Sequence, residues 1–145
     1  CAKDPLKVSG QASLTLHQPN TDDRTDRFEF PANTVVESGE NGNSNPFGSC
    51  AHGAGRWEIE LNRPGDAADG LKGFHLSVPD NNRGDALTGS FRVGQSTFTT
   101  SINCNASAVS QTDGVQISVT CTGLRASADT RSADVSVSLS FVNCT

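Results

Sequence analysis

The stretch from Gln95 to Cys121, QSTFTTSINCNASAVSQTDGVQISVTC, constrains the fold more than any other part of the chain. Phe98, Thr100, Ile102 and Cys104 alternate with polar residues going in, and Val115, Ile117, Val119 and Cys121 do so coming out. A period of two on both limbs predicts half-buried strands. Between them, Gln111-Thr112-Asp113-Gly114 has the chemistry of a hairpin loop. With those residues as the loop, Ser110 faces Val115, and counting back along the ladder sets Cys104 opposite Cys121 on the inward face. Cross-strand β-carbons lie close enough to bridge, so this register predicts a Cys104–Cys121 disulfide.

Five cysteines are present. Once Cys104 and Cys121 pair, Cys50 and Cys144 are left as a natural second bridge and Cys1 is unpaired. Two bridges imply an oxidising, extracytoplasmic compartment. A chain that begins at cysteine is what remains when a bacterial lipoprotein signal peptide is cut ahead of an acylated residue. The expectation is therefore lipidation at Cys1, a short tether over residues 1–10 and a folded domain over 11–145. No apolar run is long enough to span a bilayer. Stable anchoring through Cys1 then requires more than one acyl chain, at ~0.8 kcal/mol per buried methylene.

The remaining chain repeats the two-residue pattern. Gln11 to His17 reads as the first strand, with Leu14 and Leu16 inward and His17 outward. Pro19 to Arg27 reads as a loop leading to Phe28 and Phe30, which share a face. Asp22, Asp23 and Asp26 lie in that loop, but their spacing departs from the EF-hand pattern, and Arg24 and Arg27 would repel a cation. Thr34 to Glu37 predicts a short strand and Ser38 to Gly55 a long glycine- and asparagine-rich loop carrying Cys50. Trp57, Ile59 and Leu61 then alternate with Glu58, Glu60 and Asn62. Phe74, Leu76 and Val78 face inward with His75 outward, the turn Pro79 to Asp85 follows, and Leu87, Phe91 and Val93 mark the next strand. Thr122 to Ser132 predicts a loop or an edge. The last strand places Ala133, Val135, Val137, Leu139 and Phe141 on one face and serines on the other, the pattern of an antiparallel strand with one wet side. Cys144 breaks that parity. Either a bulge near Asn143 turns it inward, or its bridge lies outside the core over the long loop; the second arrangement is the expected one.

Eight to ten short strands predict an all-β fold, a single-domain antiparallel β-sandwich with two disulfides, with an open barrel as the alternative. A 145-residue chain, 34% hydrophobic, suffices for one core, and the lack of Met and Tyr beside abundant Ser, Thr, Asn and Gly disfavours long helices. A net charge of -5 with 11 scattered basic residues weighs against nucleic-acid binding.

Catalytic chemistry is thin. His17, His52 and His75 lie far apart in the chain, and no His-x-His, HExxH or G-x-S-x-G is present, so neither a metal, a cofactor nor a nucleophile elbow is expected. Glu58 and Glu60 share a strand face that reads as solvated rather than as an acid pair. Arg83-Gly84-Asp85 matches a receptor-read tripeptide by composition alone, and Asn105-Ala-Ser and Asn143-Cys-Thr fit the glycosylation sequon.

Cys50 to Ile59, CAHGAGRWEI, resembles the cysteine, short Gly/Ala loop and strand of the mycobacterial 19 kDa lipoprotein antigen family. The second half follows that family's order: Asn105-Ala106-Ser107-Ala108, Asp113-Gly114, Ile117, Thr120, Thr122-Gly123 and a terminal strand closing in Cys144-Thr145. By this resemblance Cys50 and Cys144 match the family's cysteine pair, whereas Cys104 and Cys121 are additions and Gln18 to Ser49 is longer. It implies a surface-exposed actinobacterial envelope lipoprotein, acylated at Cys1, seen by host innate receptors through its lipid and without established enzymatic activity. The expected function is a lipid-anchored protein-binding or accessory module with an envelope or host protein partner, using the Ser38 to Gly55 loop or a sheet edge. The alternatives are a carrier of an apolar ligand, or an inhibitor or adhesin acting through a loop such as Pro79 to Asp85.

Overall fold

The computed structural model describes residues 5–20, 22–39, 45–64, 70–80, 87–100, 103–126 and 130–144. It is all-β and antiparallel. The strands are β1 (Lys7–His17), β2 (Arg24–Val35), β3 (Phe47–Gly53), β4 (Arg56–Asn62), β5 (Leu71–Pro79), β6 (Thr88–Val93), β7 (Ser96–Thr99), β8 (Cys104–Gln111), β9 (Gly114–Ala126) and β10 (Ser132–Val142). They form one sheet in the order β2-β1-β10-β9-β7-β6-β5-β4-β3, with β8 also paired to β9. The sheet curls so that its inward faces share one core. Phe74, Phe91, Phe98 and Phe141 are fully buried in it, as the alternation requires.

The curl turns on β9. Its first part, Gly114 to Cys121, pairs with β8, and its end, Arg125 and Ala126, pairs with β7 on the same edge. Between the two, the β9–β10 register shifts between Ala133 and Val135, so that Thr122 and Gly123 lie opposite Asp134. Gly123 has φ 65, a left-handed conformation that costs glycine little. Such a bulge bends and twists a strand. The molecule is thus a β-sandwich whose two arms, β2-β1-β10-β9-β8 and β7-β6-β5-β4-β3, are one sheet joined through β9.

The first strand starts earlier than expected. Lys7 to Gly10 pair with β10, and Val8 is buried, so the folded domain reaches into the segment expected as a tether over residues 1–10. Val8, Gly10, Ala12, Leu14 and Leu16 share the inward parity, but Gly10 contributes no side chain to it. A β-carbon at Gly10 (φ 117) would collide with the Ser138 carbonyl. The long loop Ser38 to Gly55 is also corrected: Phe47 to Gly53 is β3, paired residue by residue with β4. Its sequence, FGSCAHG, buries Cys50 alone, so no run of large apolar residues marks it. Conversely, the limb expected from Phe98 through Cys104 is divided between β7 and β8, and Ile102 lies outside the described residues.

Both disulfides form, Cys104–Cys121 and Cys50–Cys144, with Cα separations of 4.1 and 4.9 Å. The hairpin register is the expected one: Ser110 pairs with Val115 and Cys104 with Cys121, around the turn at Thr112 and Asp113. The placement of the second bridge is corrected. Asn143 takes φ 68 just after β10, which re-aims Cys144 toward Cys50, and Cys50 is buried in β3 while Cys144 packs against the core. The bridge therefore ties two strands at the core's edge rather than lying outside it.

Candidate functional site

The three histidines are held apart, each by carboxylates of its own neighbourhood. His52 Nε2 meets the Asp80 carboxylate at 3.0 Å, and its ring lies tilted against Trp57 with centroids 4.5 Å apart. His75 lies 3.6 Å from Glu58. His17 is clamped on both nitrogens, Nδ1 to Asp23 at 2.9 Å and Nε2 to Asp134 at 2.7 Å. Its bonds to Asp134 first and Asp23 second raise its pKa above the ordinary 6.5. Asp134 is lowered, first by the Gly123 N–H donated at 2.9 Å and then by His17. One carboxylate thus closes the open backbone donor of the β9 bulge and fixes the imidazole, which makes this trio a clasp on the bend.

The segment expected as a loop from Pro19 to Arg27 is corrected, since Arg24 to Arg27 already belong to β2, and its acidic residues have structural partners. Asp23 belongs to the His17 clasp, and Asp26 accepts the Leu71 N–H and pairs with Arg63 at 3.4 Å. Among the described residues no group of three or more His, Cys, Asp or Glu side chains has the arrangement to hold a metal ion. Glu58 accepts the Ser77 hydroxyl at 2.7 Å, and Glu60 accepts the Asn62 amide at 3.2 Å. Each of these two carboxylates has its own hydrogen-bond donor on the outward face.

An open concavity lies where two hairpin tips meet the end of β10. The β3–β4 turn, at Ala54 (φ 54) and Gly55 (φ 77), and the β8–β9 turn, at Thr112 and Asp113, flank an open cleft of about 620 Å³. His52 and Trp57 form one wall, Gln111 to Gly114 the other, and Asn143 and Cys144 the floor. Asn143 fastens the floor: its N–H donates to the Asp113 carbonyl at 2.7 Å and its side-chain amide to the Pro5 carbonyl at 2.9 Å. Trp57 is nearly buried, and its indole N–H has no acceptor among the described residues. The walls offer hydroxyl, amide, carboxylate and imidazole groups around a disulfide, a surface for hydrogen-bonded recognition.

Comparison with protein-family models, with curated proteins and with solved structures finds no match.

The sequence-derived site residues divide accordingly. Cys144 lines the cleft and is bridged to the buried Cys50 of β3, whereas Cys104 and Cys121 close the base of the hairpin whose tip forms the second wall. Cys1 and Arg83-Gly84-Asp85 lie outside the described residues. Asn105 is exposed near the start of β8, and Asn143 is occupied by the cleft floor. The cleft and the His17 clasp were not visible in the sequence, because their members are up to 117 positions apart. The one local signal was the parity break at Cys144.

Proposed function

We propose that this chain is a lipid-anchored, extracytoplasmic binding module of the cell envelope that engages a protein partner through the cleft between its hairpin tips and catalyses no reaction. The observation that carries this reading is the Cys50–Cys144 bridge, which fixes β3 to the end of β10 beside the cleft. Disulfides of this kind belong to oxidising compartments. No helix among the described residues is long and apolar enough to cross a membrane, so in this reading acyl chains on Cys1 hold the protein at the surface. Pro5 is fastened to Asn143 under the cleft, which keeps that surface within a few residues of the anchor.

A binding role also fits the use of the interior. Leu61, Leu76, Phe91 and Phe98 fill the space between the arms at 0% exposure, so apolar volume goes to packing. The hairpin tips supply contact groups on a rigid base, the usual division between scaffold and recognition loop. The test is retention: cross-linking in intact cells through a photoreactive group at Thr112 should capture one discrete partner, and the same group at Thr97 should not. Equal labelling from both positions, or from neither, would refute the cleft as the contact surface.

A further inference from the structure

The outward faces of the two arms are built on different principles. On β4, β5 and β6 the polar side chains are tied together: Arg56 to Ser77, Ser77 to Glu58, Asn62 to Glu60 and Arg92 to Asn62. On β1, β10, β9 and β8 the register sets the outward residues in straight rows. One row runs Ser13, Ser136, Thr120, Asn105; the next Gln11, Ser138, Ser118, Ser107; the third Ser9, Ser140, Gln116, Val109. None of these positions carries a charge, although 19% of the chain is charged. Charge borders the rows: Lys7 stands opposite Val142, Asp134 opposite Thr15, and on β2 Arg27 stands opposite Ser13 and Glu29 opposite Gln11, 3.9 Å from each other. Exposed sheet faces normally carry mixed charges, so a continuous neutral surface four strands wide departs from the usual exterior.

Two further observations fall on the same face. A groove of about 500 Å³ crosses its second row, lined by Glu29, Gln11 and Ser138 with Pro31 and Phe30 beside them. Val109 and Val142, 49% and 37% exposed, are the large apolar side chains left open to solvent among the described residues; Val109 ends the third row and Val142 borders it. From Glu29 to Ser107 the second row crosses five strands, about 19 Å at the ~4.8 Å spacing of paired strands.

We propose that this face binds an uncharged polysaccharide strand laid across β2, β1, β10, β9 and β8. Sugar hydroxyls both donate and accept, as do serine hydroxyls and the amides of Gln11, Gln116 and Asn105. The Glu29 carboxylate at the end of the groove accepts from a hydroxyl pair. The apolar C–H faces of the sugar rings pack on Val109, Val142 and Pro31. Covering these rows desolvates no ion, and each buried hydroxyl meets a partner of its own kind. A polyanion meets no cation on the three rows of β1, β10, β9 and β8, since Arg27 and Lys7 lie at their borders. Protein interfaces are centred on aromatic, Met and Arg anchors and are poor in serine, so a protein or a second copy fits this surface less well.

The test is amide NMR on the isotope-labelled, fully bridged domain, titrated with neutral glucose and mannose hexasaccharides and with an oligogalacturonate of the same length as the charged control. A neutral sugar should produce saturable shifts confined to the outward residues of β1, β8, β9 and β10. Ser118→Asp with Ser138→Asp should weaken binding about tenfold or more, Ser118→Ala with Ser138→Ala should weaken it less, and Thr97→Asp on the other arm should leave it unchanged. The proposal is overturned if no neutral sugar gives saturable shifts, if oligogalacturonate binds as well, or if the folded double Asp variant binds like the parent. Shifts of the same face that grow with protein concentration without sugar would assign it to self-association and overturn it as well.

Discussion

At the scale of single residues, the positions that matter most are those that bend the chain. Asp134 joins the Gly123 N–H to His17, and both bonds are partly open to water, with side-chain exposures of 42% for Asp134 and 38% for His17. Asp134→Asn should therefore destabilise the fold by about 1 kcal/mol, read as a lower urea midpoint at unchanged slope. The linkage has a definite sign. The folded-state pKa of His17 is raised, so its clasp contributes fully below the ordinary 6.5 and is lost as pH rises through the higher folded value. That of Asp134 is lowered, so its contribution is present above the ordinary 3.8 and is lost as pH falls through the depressed value. NMR titration of the His17 ring should show the raised midpoint in the parent and a lower one in Asp134→Asn. Asn143 makes a similar point through the backbone: at φ 68, Asn143→Val should cost about 1–2 kcal/mol, whereas Asn143→Gly should lose the side-chain bond to Pro5 but not the turn.

At the scale of elements, the legible parts were those in which side chains reported the backbone. The β8–β9 hairpin could be read to the residue because apolar alternation, turn chemistry and two cysteines agree on one register. The strands β4, β5 and β10 were legible for the same reason, each burying three or more large apolar residues at alternate positions. β3 and the first residues of β1, Lys7 to Gly10, were not, because glycine, alanine and serine occupy positions that elsewhere hold Leu or Phe. There the backbone is specified by close approach: Gly48 lies against the Glu60 carbonyl as Gly10 lies against that of Ser138. Gly10→Val should accordingly disrupt β1, with loss of amide-exchange protection from Lys7 to Ala12 as the readout. The cleft stayed hidden for a different reason, since it exists only where the β3–β4 and β8–β9 turns converge.

At the scale of the whole molecule, two bridges restrain one core over very different spans, 94 residues for Cys50–Cys144 and 17 for Cys104–Cys121. On the loop-closure account, removal of the long bridge by Cys50→Ala with Cys144→Ala should cost about 4–5 kcal/mol and removal of the short one about 3 kcal/mol. Urea unfolding of the two double variants would check the order. The long bridge also fixes the cleft, so its loss should loosen partner capture before the core melts, whereas loss of the short bridge should leave capture intact below the melting temperature. The central functional claim, a disulfide-bonded binding module held at the envelope by lipid, is tested most directly by native mass spectrometry of the protein extracted from its own membrane in mild detergent. The account predicts a chain heavier by acyl groups at Cys1, lighter by four hydrogens for its two bridges, and travelling with a protein partner. An unmodified, solitary chain would contradict it.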